Sequence, residues 1–87
     1  MLIFVEIRYS KKALKYLLKL QPKLRDRIRN TIRKIADGNT QGLNIVAMQD
    51  VDAFRVRIGD HRVIYEINDD ELVLIVIKIG ARGDVYK

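Results

Sequence analysis

The residues of this chain that could do chemistry are four arginines and a tyrosine in its C-terminal half. They are Arg55, Arg57, Arg62, Arg82 and Tyr86. An arginine stays charged and can donate two parallel hydrogen bonds to a phosphate. Several arginines together could therefore neutralise a phosphodiester and the added charge of its pentacoordinate transition state. A tyrosine hydroxyl beside them could transfer a proton.

Other common chemistries lack their residues here. The chain has no Cys and a single His, His61, so disulfides and thiolate metal sites are excluded and we expect neither a metal nor a cofactor. Ser10 is the only Ser and lies far from His61 in the chain, which argues against a serine nucleophile. Without a metal to activate water, the easiest phosphodiester to cleave is RNA, whose 2′-OH is a built-in nucleophile.

Residues 54–65, read FRVRIGDHRVIY, predict a β-hairpin that would bring three of the arginines together. Apolar and charged residues alternate on both sides of Gly59-Asp60, and a two-residue loop that opens with Gly suits a type II′ turn. Counting outward from this turn places Arg57 opposite Arg62. Side chains two apart share a face, so one face is predicted to be apolar, with Phe54, Val56, Ile58, Val63 and Tyr65. The other face carries Arg55, Arg57 and Arg62.

Two interpretations of this arginine face remain open. Like charges directly opposite each other destabilise a sheet by about a few tenths of a kcal/mol, so folding alone gives no reason to place Arg57 across from Arg62. An anionic ligand would give one. The alternative is a solvated face that keeps the domain soluble. The net charge of +6 favours nucleic acid, an acidic protein or an anionic surface as partner without choosing among them.

The remaining elements predict an α+β domain. Residues 2–8 read as a strand, Ser10 as an N-cap, and residues 11–20 and 23–37 as amphipathic helices, with Gly38 as the residue that ends the second helix. The apolar stripe of the first helix is expected to cover one face of a sheet: Ala13, Leu14, Leu17 and Leu18.

After the second helix, the sequence predicts a loop and then strands. Residues 38–52 are predicted to form a loop, and residues 72–79, apolar except for Lys78, an interior strand. The expected fold is one domain over residues 1–87 with the order β-α-α-β-β-β, a mostly antiparallel sheet and a helical hairpin on one face. No apolar run is long enough for a signal peptide or a membrane span, so we expect a cytoplasmic protein without a membrane partner.

The hairpin sequence, the acidic turn and long apolar strand after it, and the ending IGARGDVYK resemble the RelE toxins of the RelE/ParE superfamily. The resemblance covers essentially the whole chain. It implies a toxin of a type II toxin–antitoxin system that enters the ribosomal A site and cleaves mRNA by 2′-OH attack. The implied partners are mRNA, the 30S subunit with its 16S rRNA, a RelB-like antitoxin, and operator DNA only through the antitoxin complex.

The resemblance also implies roles for the five residues named first. The family's basic residues on the first hairpin strand match Arg55 and Arg57, and its later arginines match Arg62 and Arg82. Its C-terminal tyrosine matches Tyr86. All five are implied to be catalytic, and the arginines to bind RNA as well.

One departure from the family affects these roles. The best-known members carry Lys at the first two positions, and one of these is thought to act as general acid. Arginine, with a pKa above about 12, is a poor acid, so charge stabilisation is the expected role of Arg55 and Arg57.

Two other functions fit the same sequence. A ParE-like inhibitor of DNA gyrase would share the fold and lack nuclease activity. The presence of both Arg82 and Tyr86 favours the nuclease, because a protein that only binds gyrase needs neither. A basic module that uses its arginines to hold an acidic partner is the third possibility.

Overall fold

Two helices and five strands make up the part of the chain that the structure, a computed structural model, describes: residues 6–49 and 52–81. In chain order they are β1 (Glu6–Tyr9), α1 (Lys11–Lys19), α2 (Pro22–Ala36), β2 (Asn44–Ala47), β3 (Ala53–Ile58), β4 (His61–Asn68) and β5 (Val73–Ala81). The strands form one sheet in the order β1-β5-β4-β3-β2. Only the β1–β5 pair is parallel among these, which confirms the predicted α+β class and mostly antiparallel sheet.

The start of α1 is fixed by Ser10, as the sequence predicts. The Ser10 hydroxyl accepts a hydrogen bond from the backbone N–H of Ala13 at 3.0 Å, which satisfies one of the free donors of the first turn. The same hydroxyl donates to the carbonyl of Ile77 at 2.6 Å. One side chain therefore both caps α1 and ties it to β5.

The end of α2 follows the predicted glycine termination. Gly38 has a φ of 80°, a left-handed conformation that a glycine adopts without steric cost. Its N–H bonds the carbonyl of Ile35 at 3.0 Å, and the N–H of Asn39 bonds the carbonyl of Lys34 at 2.8 Å. These two bonds form a Schellman motif.

The main core lies between the helix pair and one face of the sheet. Its buried side chains are apolar and come from both layers: Ala13, Leu17, Ile28, Ile32, Ile35 and Ala36 from the helices, and Val56, Ile58, Val63, Tyr65, Leu74, Val76 and Ile79 from the strands. On the opposite, open face of the sheet, the described residues form only a small apolar cluster around Ala53 and Ile64. No helix in the described ranges is both long and apolar enough to cross a bilayer.

The hairpin register is confirmed pair by pair. Arg57 lies opposite Arg62, Ile58 opposite His61 and Phe54 opposite Tyr65. Gly59 has a φ of 60° and Asp60 is not among the residues with positive φ, as a type II′ turn requires. Alternation then turns Val56 into the core and leaves the arginines on the open face.

The predicted loop over residues 38–52 is wrong in part, because it contains the strand β2. This strand pairs antiparallel with β3 and forms an edge of the sheet. Ile45 packs against the main core, whereas Val46 is 45% exposed. Of the four residues of β2 only Ile45 packs against the main core, and Val46 on the other face is also apolar, so the strand lacks a clear alternation. Its pairing with β3 supplies the order instead.

The apolar stripe predicted for α1 is only half buried. Ala13 and Leu17 lie in the core, but Leu14 is 43% exposed and Leu18 is 61% exposed. The helix therefore contacts the sheet along a narrower line than its sequence suggests, and it leaves two leucines one turn apart on its outer surface. Of the predicted first strand, residues 2–5 lie outside the described ranges, and β1 begins at Glu6.

Candidate functional site

The arginine face predicted for the hairpin lies on the open side of the sheet, next to the hairpin turn. Arg57 and Arg62 are direct cross-strand partners, and Arg55, two residues before Arg57 on β3, shares their face. The structure therefore brings together three of the five predicted site residues. Arg82 and Tyr86 lie outside the described residues. Arg82 directly follows Ala81, the last residue of β5, which pairs with His61 beside the turn.

β5 contributes a fourth cation to this face. Lys78 pairs with Ile64 of the open-face cluster, and Gly80 pairs with Arg62, so no side chain from β5 stands beside that arginine. Lys78 was not among the site residues predicted from the sequence. The available signal was its position as the one charged residue in an otherwise apolar strand.

A β-bulge explains how β5 can serve both faces. The pairing with β4 shifts register between Ile64 and Tyr65, which leaves one extra residue on β5. Val76 and Ile79 are three residues apart and are nevertheless both buried in the main core, which a regular strand cannot achieve. The bulge thus keeps both residues inside while Lys78 stays on the open face.

Arg62 holds a cationic nitrogen that the described part of the protein does not satisfy. Its Nη1 is buried and has no hydrogen-bond partner there. Neither ion pair of the described residues involves Arg57 or Arg62, and the Nε of Arg57 donates to the Gly59 carbonyl at 3.3 Å. A buried charged donor without a partner costs free energy. An anion bound by the half-buried guanidinium group would offset that cost.

The described tyrosines and the histidine lie on the other side of the sheet. Tyr9, Tyr16 and Tyr65 all pack against the main core. The His61 ring meets the Tyr16 ring edge-on at 6.1 Å between centroids, as suits a half-buried packing residue. The described ranges contain no group of three or more acidic, His or Cys residues placed to hold a metal.

The environments of Tyr9 and Tyr65 favour the neutral form of each phenol. Burial raises the pKa of Tyr65 to about 12. Burial also raises the pKa of Tyr9, although Arg29 and Arg33 oppose the change. Neither phenol is placed or tuned to exchange a proton with a ligand on the arginine face. The predicted role of Tyr86 therefore has no substitute among the described tyrosines.

Solved structures of toxins and of toxin–antitoxin complexes share this fold. A chain of the RelE–RelB complex from Pyrococcus horikoshii superposes with a TM-score of 0.76 at 24% identity, over 97% of this chain and 99% of that chain. A chain of the RelB–RelE complex from Methanococcus jannaschii gives a TM-score of 0.74 at 22% identity, over 91% of this chain and 94% of that chain. A YoeB/ParE toxin from Agrobacterium tumefaciens gives 0.75 at 14% identity, over 90% and 99%.

Sequence comparison gives the family. No curated protein is significantly similar to the chain. The model of one family, described as the ParE toxin of type II toxin-antitoxin systems, matches residues 7–86. The chain therefore belongs to this toxin family, within the RelE/ParE superfamily, whose RelE members have the fold described above.

Proposed function

We propose that this toxin is a metal-independent endoribonuclease that cuts mRNA in the ribosomal A site and so inhibits translation. The observation that carries the proposal is the buried Nη1 of Arg62, which has no partner among the described residues and lies on the strand pair where Arg57 faces it. A phosphate lying over this strand pair would pair with the half-buried Arg62 side chain and relieve the repulsion between the two guanidinium groups. Cleavage would take place at that phosphate.

The proposed reaction uses the nucleophile that RNA itself provides. The 2′-oxygen forms a bond to phosphorus as the bond from phosphorus to the 5′-oxygen breaks, which leaves a 2′,3′-cyclic phosphate and a 5′-hydroxyl. Arg55, Arg57 and Arg62 stabilise the added negative charge, and Arg82, the next residue in the sequence after β5, is assigned the same role. The 2′-hydroxyl gives up its proton and the 5′-oxygen takes one up; Tyr86 carries out one of these two transfers and water the other.

The proposed partner in the resting state is an acidic antitoxin of the RelB type. RelE chains occur in complexes with RelB in the similar structures. We expect Asp or Glu residues of the antitoxin to face the arginines, and an apolar stripe to cover Leu14 and Leu18 on α1, which are exposed. Association should then slow as salt concentration rises. Salt-independent association would exclude electrostatic capture by the arginines.

A gyrase-inhibiting toxin without nuclease activity is the second candidate. The observation that favours it is the family match, whose description names ParE. The arginines at positions 55 and 57, where the best-known RelE toxins carry lysine, point the same way. In this alternative the arginine face would bind an acidic protein surface and Tyr86 would have no chemical role.

Inducible expression with mapping of mRNA 5′ ends separates the two candidates. Cuts phased with the reading frame support the nuclease, whereas DNA damage without such cuts supports gyrase inhibition. In single-turnover reactions on programmed ribosomes, Tyr86→Phe should bind normally and cleave about 10²- to 10⁴-fold more slowly, as for loss of a general acid or base. An unchanged cleavage rate would remove Tyr86 from the mechanism.

A further inference from the structure

A second basic surface lies on the helix side of the sheet, in a groove between α2 and the edge formed by β2 and β3. The groove has a volume of about 640 Å³. Three cations of α2 line it: Lys23, Arg27 and Lys34. Their spacing places them along one side of the helix. We call this surface the α2 groove.

The α2 groove is continuous with the arginine face around the hairpin turn. A Cβ on Gly59 would lie 3.3 Å from Nη1 of Arg27, so this guanidinium sits against the turn. From the other side, the Nε of Arg57 donates to the Gly59 carbonyl at 3.3 Å. Arg57 both lines the groove and pairs with Arg62. A chain of positive charge therefore runs from α2 past the turn to the open face.

The cations of the groove are available to a ligand. Lys23, Arg27 and Lys34 are exposed, and neither ion pair of the described residues includes any of them. Among the lining residues that the structure describes, Asp26 is the one carboxylate, against four cations when Arg57 is included. The groove therefore attracts anions, and its lysines and arginines cost little to desolvate in part because their heads already stand at the surface.

The lining decides which anionic polymer fits. Among the described lining residues only Leu43 and Ile58 are large and apolar, so this part of the groove lacks the apolar centre of a protein interface. The same residues include no aromatic side chain on which a base could stack. Asn30, Thr31 and Asn44 add amide and hydroxyl groups to the lining. Cationic, amide and hydroxyl groups are the side-chain groups that bind a sugar–phosphate backbone.

We propose that the α2 groove binds an RNA backbone, on a path that continues from the arginine face around Gly59. The inference rests on the proposed ribonuclease function and names further RNA-binding residues for it: Lys23, Arg27 and Lys34. Because the contacts are to phosphate, the groove supplies affinity and leaves the choice of cleavage site to the arginine face. The backbone can belong to mRNA or to ribosomal RNA.

Matched variants test the inference on the full-length protein. The groove variant is K23Q/R27Q/K34Q, and the control is K11Q/K15Q/K19Q, which removes the same charge from exposed positions of α1. Binding is measured over a range of salt to ribosomes programmed with mRNA that carries 2′-O-methyl groups and cannot be cleaved. We expect the groove variant to bind at least about tenfold more weakly, with a salt slope lower by about 2, since each lost phosphate contact accounts for about 0.7.

Further measurements distinguish mRNA from ribosomal RNA as the ligand and show which results would contradict the inference. A loss only on programmed ribosomes assigns the groove to mRNA, and an equal loss on empty ribosomes assigns it to ribosomal RNA. Mapped cleavage sites should not change.

Equal losses in the groove and control variants, or a groove variant that loses antitoxin affinity and keeps ribosome affinity, would overturn the inference alone. A wild-type protein that neither binds ribosomes nor cleaves would overturn the proposed function as well. Arg27→Gln alone repeats the test if the triple variant melts early.

Discussion

On the helix side of the β3–β4 hairpin, Val56 and Val63 face each other and both are fully buried, whereas the neighbouring pair on the open side is Arg57 and Arg62. The two pairs belong to the same strands and differ only in the face to which alternation assigns them. One pair gains free energy from burial and the other carries like charges in opposition. Stability and ligand binding should therefore separate between residues that are adjacent in sequence.

The largest expected effect is the loss of activity in Arg62→Leu. Removing a charge that stabilises the transition state typically costs about 10²- to 10³-fold in rate. The same change relieves the repulsion from Arg57 and removes the buried Nη1 that lacks a partner. The melting temperature should thus stay equal or rise slightly while growth arrest is lost, and both are measured on the same variant.

A structural arginine would behave in the opposite way. Breaking a buried charge pair by removing one partner costs about 3 to 5 kcal/mol, which would lower the melting temperature strongly. If Arg62→Leu lost both stability and toxicity, Arg62 would hold the fold. Stability and ligand binding would then not be separated between the two faces of the hairpin.

Val63→Ala tests the helix-side face at the next position in the chain. Val63 is fully buried between the helix pair and the sheet. Loss of two methyl groups, together with the cavity left behind, should lower the free energy of unfolding by roughly 2 to 3 kcal/mol. Denaturant unfolding gives this value, and the fraction that remains folded should cleave at the wild-type rate. A folded but inactive Val63→Ala would show that core packing sets the geometry of the arginine face.

The part of the fold that sequence could predict is the part with strict alternation. In the hairpin, period-two patterning and a glycine at the turn fix the register completely, because a shift by one residue would bury the arginines. The caps at Ser10 and Gly38 are equally local. Each depends on side-chain or backbone chemistry within four residues, so no tertiary information is needed.

The features that sequence missed depend on tertiary partners. The strand β2 forms because β3 offers it an edge, and the bulge on β5 appears only in the pairing with β4. The cations of the α2 groove lie on a helix that the sequence predicts only to be amphipathic. Nothing in the helix sequence reveals that Arg27 reaches the hairpin turn, since that contact joins residues far apart in the chain.

Alkaline pH should weaken the helix-side face specifically, because that face excludes charge. Burial raises the pKa of Tyr65 from 10.0 to about 12, so between these values the unfolded chain loses a proton that the folded protein keeps. The ionisation of Tyr65 should therefore leave the free energy of unfolding unchanged below pH 10 and lower it as the pH rises toward 12. In Tyr65→Phe this decline should be shallower, as measured by denaturant unfolding at each pH. Parallel declines in both proteins would mean that Tyr65 ionises without cost.

The smallest expected effect is at the turn where the two faces meet. Gly59 has a φ of 60°, so Gly59→Ala should cost about 1 kcal/mol through left-handed backbone strain. Gly42→Ala is the control, because its φ is 82° and a Cβ there would meet nothing within 4 Å. The new methyl at position 59 would press on the end of the flexible Arg27 side chain, which can move at little cost. Both variants should thus lose similar stability. A much larger loss in Gly59→Ala would mean that Arg27 is rigidly held against the turn, as a structural element of the hairpin and not as a ligand for RNA.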